Sequence, residues 1–486
     1  MRVARINLAN VATSAYAALL VLCLATQCVY AESWTQKSVE KEITLGGAVS
    51  QLRMDIVATP RNEATDVEDG DVVPYIFYLS AQEHKSHSLL RASMAPPGKK
   101  AQPVEVRTGG LMPGDRTTAF YEAMIPREYA LGTDELQIFI TSAMLHTSTP
   151  LPATAPQGKP QHLVWKGDAA LRTPYHTGNA LINVRVPYPT IVAFAPQSIA
   201  TRTGKTITYG PYIDVAPSAK MPIAEAMVHY EYLQPVVSYV DFARHVEVSH
   251  WGNNLATEDT IALKNDGAKL EDTFNRARHM YNNFVEGGSD AVNQIRSIPI
   301  VLPANADDVY YVDAMGNVST SSMPPKVAGH KKPRRMEIFP RYPVLGGWNY
   351  TFSVGWNLNL EGNGIARRVT GAPHRVRIGV PFLMAPSNVA IDHASLRIVL
   401  PEGAQHVEVH TPFSMDLVHI GPFPTYLDTV PRRAVLLERA KCTSKMNGIV
   451  FVDYTLYPSA HWRKPLAVGT AAFAIFIVSV LSRRVL

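Results

Sequence analysis

Between residues 51 and 58 the chain alternates Leu52, Met54, Ile56 and Ala58 with Gln51, Arg53 and Asp55. A period of two puts the apolar side chains on one face of a strand and the polar ones on the other. The rhythm recurs: Ile182, Val184 and Val186 alternate with Asn183 and Arg185, and Val246 and Val248 flank Glu247. Further on, Val376, Ile378 and Val380 alternate with Arg375 and Arg377, and Val407 and Val409 flank Glu408. Each pattern predicts a strand with one wet face. Two unbroken apolar runs, 75–79 and 449–452, predict strands covered on both faces. Turns containing Gly and Pro separate these segments, which favours antiparallel, sandwich-like sheets over alternating βαβ units. One stretch, 272–284, spaces Phe274, Met280, Tyr281 and Phe284 near helical intervals and ends before Gly287 and Gly288, predicting a short helix.

At 486 residues the chain is longer than one typical domain of roughly 100–200. Proline-rich segments at 149–160 and 209–221 read as an extended loop and a boundary, and we place the division at Pro222. This gives two β-rich domains, 32–221 and 222–462. They share no visible sequence repeat, although two related sheets do not require one. Hydrophobic residues at 46%, charged residues at 18% and 36 prolines describe a folded, turn-rich chain and argue against disorder or a helix bundle. The formal charge of +5 falls by two if the segment bearing Arg2 and Arg5 is removed, too mild a balance to imply nucleic acid.

The two ends suggest a compartment. Residues 1–31 have a basic start, an apolar run at 15–25, and Val29 and Ala31 at the exit, the three parts of a secretory signal. An uncleaved anchor is the rival reading, against which the apolar run is short. Residues 465–481 are uncharged and apolar, between Arg463 and Lys464 before and Arg483 and Arg484 after, and are long enough to span a bilayer. With a cleaved signal the preceding chain is luminal and 482–486 is a short cytosolic tail. A lipid-anchor signal is the rival here, opposed by the short polar spacer and the trailing arginines. The fold class expected is mainly β: two luminal β-sandwich-like domains followed by a single transmembrane helix. On that helix Gly469, Ala472 and Ser479 are candidates for close packing against other spans.

Candidate chemistry is thin. Cys23 and Cys28 lie in the signal, leaving Cys442 alone, so neither an intramolecular disulfide nor a cysteine zinc site is expected. His245 and Glu247 share a strand face that His250 does not, poor geometry for one metal ion. No zinc-protease helix motif, nucleophile elbow, phosphate loop or dinucleotide fingerprint occurs, so no catalytic residue, metal or cofactor is assigned. Asp307–Asp308 and Glu271–Asp272 read as solvated acids. The basic run HKKPRR at 330–335 reads as an exposed loop, with anionic headgroups or a pyrophosphate as the alternative partner. Trp251, Trp348 and Trp356 stand beside glycine or asparagine, and two of the three are expected in the core. Asn317 and Asn349 begin glycosylation sequons.

Several strings then point further. VEVSHWGN at 246–253, LKNDGAKL at 263–270 and DVYYVDAMGNVSTS at 308–321 occur in order, followed by PRYPVLGGW at 340–348, VLPEGA at 399–404 and TYLDT at 425–429. With YGPY at 209–212 upstream, the chain resembles the ribophorin I family, the first subunit of the eukaryotic oligosaccharyltransferase complex. The resemblance is dense over the second domain and thins before about residue 140. It implies a non-catalytic type I subunit of the endoplasmic reticulum membrane, beside a multi-spanning catalytic subunit that transfers a lipid-linked oligosaccharide to Asn-x-Ser/Thr. Partners would be that subunit, the remaining subunits of the complex, membrane lipid and nascent polypeptides, with no nucleic acid. The strings mark His250, Trp251, Gly252, Arg341, Gly346, Gly347 and Trp348 as motif or interface residues, and the matched string around Asn317 favours it as a glycan site. A membrane-anchored peptidase and a cell-surface adhesion protein are the competing classes. The sequence departs from the family in two ways. Animal members extend well beyond the membrane where this chain ends at Leu486, and Val430-Pro431-Arg432-Arg433 stands where the family prefers Gly-Arg-Pro.

Overall fold

Alternating side chains become a hairpin at once: Trp34–Thr44 runs antiparallel to Val49–Pro60, with Val39 opposite Ile56 and Ile43 opposite Leu52. All four side chains are buried. A bulge between Gln36 and Ser38 shifts the phase of the strand, so Trp34 and Gln36 stay on the buried face with Val39 and Ile43. The structure, a computed structural model, describes residues 34–61, 72–96, 98–112, 115–131, 135–217, 224–284, 292–326, 332–361, 364–426 and 428–485. The expected signal, Pro222, Gly287, Gly288, His330 and Lys331 lie outside these residues.

The chain divides into two units between Gln234 and Pro235. Strand Glu225–Tyr232, which follows Pro222 in sequence, pairs along its length with Gln161–Asp168 and therefore belongs to the first unit.

In the first unit Val49–Pro60 is flanked by Leu136–Leu145, and Trp34–Thr44 lies parallel to Thr177–Arg185. Thr206–Val215 and Ala200–Thr203 complete that side of the sheet. A smaller four-stranded sheet contains Ile191–Ala195, Glu225–Tyr232, Gln161–Asp168 and Ser148–Pro150. The two sheets bury Ile138, Ile140, Ile182, Ile207, Leu163 and Val228, the apolar phase of their strands. Tyrosines tie them together: the Tyr209 hydroxyl donates to the Ala195 carbonyl at 3.0 Å, and Tyr230 donates to the Gly46 carbonyl at 2.7 Å.

The second unit repeats this plan. Val237–Ser249 and Asn254–Asn265 form the hairpin, Asn349–Asn359 flanks it, and Ala390–Val399 lies parallel to Val237–Ser249. Arg432–Cys442 and Leu417–Phe423 follow outward. The smaller sheet is Ala366–Arg368, Arg375–Pro381, Ile449–Thr455 and Gln405–His410. Matched in chain order, these strands have the same neighbours and the same parallel or antiparallel sense as those of the first unit. Both units also carry their long insertion at the same point, between the second strand of the hairpin and the strand flanking it. The duplication is one of topology, which side-chain periodicity preserves even where no residue string does.

Of the two runs expected to be covered on both faces, one is and one is not. The run at 75–79 is buried throughout. In Ile449–Thr455, by contrast, Ile449 and Phe451 are 49% and 41% exposed while Val450 and Val452 are buried, because this strand turns one face of the smaller sheet to solvent. The expected helix begins later than its apolar spacing suggested, at Arg276, and runs to Phe284. At the C-terminus a short helix, Pro458–His461, leads through Trp462 into the long helix Arg463–Val485, whose apolar window has mean hydropathy 2.1 and no burial. At about 1.5 Å per residue such a helix exceeds the roughly 30 Å hydrocarbon core of a bilayer. Gly469, Ala472 and Ser479 are exposed on it and fall within one arc of its surface.

Candidate functional site

Three strings that are far apart in sequence meet at the base of the apolar helix. The first, 246–253, ends one strand and forms the tip of the hairpin Val237–Ser249/Asn254–Asn265. The tip closes with the Ser249 hydroxyl accepting from Gly252 N–H at 3.2 Å, and with Asn253 at positive φ, a conformation asparagine tolerates. His250 Nε2 is 2.6 Å from the hydroxyl of buried Tyr454, on the last strand of the smaller sheet. The first unit fixes its own hairpin tip in the same way, through Tyr230 and Gly46, but there the tip is Leu45-Gly46-Gly47-Ala48 and carries no ionisable or aromatic group. In the second unit the tip adds His250 and Trp251. The Trp251 ring lies 6.5 Å from that of His461, just before the long helix, and is 66% exposed.

The second and third strings supply the charge. The Asp428 side chain is 1% exposed and holds both Arg432 Nε at 2.6 Å and Lys464 Nζ at 2.5 Å, while Thr425 donates its hydroxyl to the same carboxylate. Burial by itself would raise the Asp428 carboxyl. Arg432 and Lys464 outweigh it and hold the group below the usual carboxylate range. Glu402 accepts from the Thr429 N–H at 3.1 Å and from its hydroxyl, and its other oxygen lies 3.8 Å from Lys464. Next to it, Gly403 has φ +86, and a Cβ there would come within 2.8 Å of Ala460 Cβ. Glycine at this position is what lets the loop approach the helix start so closely. The result is a cleft of about 240 Å³ lined by His250, Trp251, Glu402, Arg432, His461 and Lys464 among others.

Burial, and then the nearby His461, lower the His250 imidazole from its ordinary value, with Glu361 opposing. The neutral ring is the folded form, so its contribution is complete above the unfolded pKa of about 6.5 and is lost as pH falls through the lower folded value. The protection of the amides at 250–253, taken relative to their intrinsic exchange rates at each pH, should fall on acidification from pH 7.5 to 5.5, and His250→Gln should remove most of that dependence. An unchanged profile in the variant would mean another group drives the opening.

The other sequence-marked residues assemble elsewhere in the same unit. Arg341 grips Asp313 with Nε at 2.5 Å and Nη2 at 3.2 Å, and Nη2 also donates to the Asn317 carbonyl at 3.2 Å. That pairing lowers the Asp313 carboxyl. Gly346 packs directly on the Ala268 carbonyl, leaving no room for a side chain, and Gly347 has φ +81. Trp348 meets Phe274 at 6.2 Å and Tyr342 at 6.0 Å. Asn317 and Asn349 are exposed, each on a strand. Of the three tryptophans only Trp356 is core, at 3% exposure; Trp348 is 37% exposed, so the expectation of two in the core is corrected. The reason is local: Trp356 points inward in mid-strand, whereas Trp251 and Trp348 occupy turns. The basic run also differs from a simple loop, since Arg334 enters a strand and donates to the carbonyls of Ala306 and Pro324.

Two groups invite a catalytic reading and decline it. Glu408, His410 and Asp453 bring ligand atoms within 4.8 Å of one another. Arg377 already clamps Asp453 at 2.7 and 2.8 Å, and Arg375 reaches Glu408 at 2.5 Å. Two guanidiniums thus bring the positive charge a cation would bring, and the cluster is an ion-pair network. Cys442 is buried, and burial pushes its thiol up to about 12, the opposite of an activated nucleophile.

Comparison with known proteins is consistent over the whole described chain. The family model for ribophorin I matches residues 34–483. Subunit 1B of the dolichyl-diphosphooligosaccharide–protein glycosyltransferase of Oryza sativa subsp. japonica is 28% identical over 449 residues, covering 91% of this chain and 89% of that one. Subunit 1 of the Caenorhabditis elegans enzyme is 26% identical, covering 94% and 73%. Subunit 1 from Schizosaccharomyces pombe is 28% identical, covering 66% and 70%.

Proposed function

This chain belongs to the ribophorin I family, and from that membership we propose that it works as a non-catalytic, single-pass type I subunit with its bulk in the lumen of the endoplasmic reticulum. It is a subunit of the glycosyltransferase complex that moves a dolichyl-diphosphate-linked oligosaccharide to protein, as its relatives are named. The family match from the first described strand into the apolar helix carries this reading. Its orientation is supported by the signal-like start of the sequence and by the exposure of Asn317 and Asn349, which only a luminal domain could offer for glycosylation. Its non-catalytic role is supported by the fate of the acid and thiol groups described above, which are committed to ion pairs and core. The exposed aromatics Tyr342, Trp348 and Tyr310 suit a secondary role in holding acceptor chains.

The helix contributes an association surface. Gly469, Ala472 and Ser479 allow another span to approach closely, and lipid offers little competing hydrophobic drive between helices. Tagged chain isolated from native membranes in mild detergent should bring down a multi-spanning partner, and the eluate should transfer glycan to an Asn-x-Thr peptide. Gly469→Leu should reduce partner yield several-fold while leaving the luminal units folded. A chain that emerges alone and without transfer activity sinks the subunit reading and reopens peptidase or adhesion roles. Unchanged yield with Gly469→Leu sinks only the helix face.

A further inference from the structure

The charges at the helix base are divided unevenly, and what is left over has a direction. Arg432 and Arg433 are neighbours on one strand, so their side chains leave opposite faces. Arg432 goes to Asp428 and, at 3.7 Å, to Glu247. Arg433 is exposed and has no carboxylate in ion-pair reach among the described residues. Arg463 and Lys464 divide the same way. Lys464 is taken by Asp428 and Glu402. Arg463 is half-buried, stands against Gly403, where a Cβ would be 3.5 Å from its Nη1, and also lacks a carboxylate among the described residues.

These two leftover guanidiniums line one groove of about 380 Å³, with exposed His406, the backbone of Gly403, and Ile420 and Val430 at its apolar rim. Ile420 and Val430 are 40% and 38% exposed. Arg463 is the first residue of Arg463–Val485, and the apolar run begins at Pro465, only about 3 Å further along the axis at 1.5 Å per residue. The headgroup layer outside each face of the hydrocarbon core is roughly 5–7 Å deep, so the groove opens into it.

From this we infer a binding site for the phosphate of a membrane phospholipid, held in a fork by Arg433 and Arg463, with the lipid's glycerol and upper acyl carbons against Ile420 and Val430. The chemistry fits arginine better than lysine, since a planar guanidinium meets two phosphate oxygens at once and is less strongly hydrated than an ammonium. It also accounts for a half-buried arginine with no carboxylate partner among the described residues, beside Asp428, Arg432, Glu402 and Lys464, which pair with one another. The site rests on the reading of the helix as a membrane span. It adds to the subunit role a lipid that orders the helix base.

The test uses the full chain, purified in mild detergent, stripped of native lipid and titrated with phosphatidylglycerol, with bound lipid counted by native mass spectrometry. Three probes are compared: phosphatidylglycerol, a diacylglycerol with the same chains, and inorganic phosphate as competitor. Wild type should retain phosphatidylglycerol over diacylglycerol, and millimolar phosphate should not displace it. Arg433→Gln with Arg463→Gln should weaken retention about tenfold or more. Arg433→Lys should recover part of it, and Arg367→Gln, on a distant exposed edge, should change nothing. Equal retention by the double variant, or equal binding of diacylglycerol, overturns the site. Displacement by inorganic phosphate overturns the lipid as its source and leaves a free-anion site. Carbonate extraction of the chain from membranes is run alongside: release would overturn the membrane span itself, an outcome distinct from failure of the lipid site.

Discussion

Asp259→Ala should destabilise the second unit by about 3–5 kcal/mol, the cost of leaving a buried cation without its partner. Asp259 and Arg244 face each other directly across the hairpin, with side chains 5% and 1% exposed and two contacts of 2.6 Å. The third guanidinium nitrogen donates to the Pro381 carbonyl at 2.8 Å, so this pair also links the large sheet to the small one. The rings of Phe242 and Trp356 each lie 5.5 Å from the guanidinium carbon and exclude water. Removing one member strands the other. Replacing both by apolar residues of similar volume, Arg244→Met with Asp259→Leu, should recover most of the loss, because the desolvation cost of the two ions disappears with their attraction. Amide exchange in Val237–Ser249 and Asn254–Asn265 reads the effect, and Trp34–Thr44 of the first unit serves as an internal reference. If Asp259→Ala costs less than about 1 kcal/mol, water reaches the pair and the buried-ion account is wrong.

The same pair shows what could be read from the sequence. Arg244 lies in phase with Val246 and Val248, in a strand the alternation located, and Asp259 in phase with Thr257 and Ile261, in a strand it did not, and both sit at inward positions. The inward charge at Arg244, in phase with the apolar positions, was the available signal. The registration of Arg244 opposite Asp259 depended on where the hairpin turned, which period-two patterning does not specify. The topological repeat was hidden for a related reason. Alternation reports which face is wet but not which strand is the neighbour, and the parallel pairing of Val237–Ser249 with Ala390–Val399 joins segments well over a hundred residues apart. Tryptophan placement failed where composition was asked to substitute for backbone position. The strings that suggested the family were informative beyond it, since two of them supplied His250 and Glu402 to one cleft and a third supplied Asp428, which holds the cleft's Arg432 and Lys464. The long helix was legible because an uncharged apolar run needs no partner to be recognised. Lys464 and Arg463, read only as flanking charges, proved to divide between that cleft and a second groove.

That division makes Asp428 the residue on which the helix base depends. Asp428→Asn keeps the shape of the side chain and removes its charge, leaving Arg432 and Lys464 facing each other across a neutral amide. Arg432 is only 17% exposed and cannot easily turn to water, whereas Lys464 at 41% can. A cost of about 2 kcal/mol is therefore expected, below that of a fully buried pair and above that of a surface one. Lys464→Met should cost under about 1 kcal/mol, since Asp428 would keep Arg432 and the Thr425 hydroxyl. The acid dependence has a fixed sign. The folded Asp428 carboxyl is held below its unfolded value, so its contribution is complete above about pH 4 and is lost as pH falls through the lower folded pKa; Asp428→Asn should flatten stability in that range. Exchange of amides at 458–464, measured against that of Ile449–Thr455, localises the change to the junction. If Lys464→Met proves as costly as Asp428→Asn, Glu402 carries the junction through its longer contact and the hub moves to the glycine-bearing loop. If Asp428→Asn frees the helix base while the sheets keep their protection, one carboxylate ties the second unit to the helix, and the arginines on the other side remain for the proposed lipid phosphate.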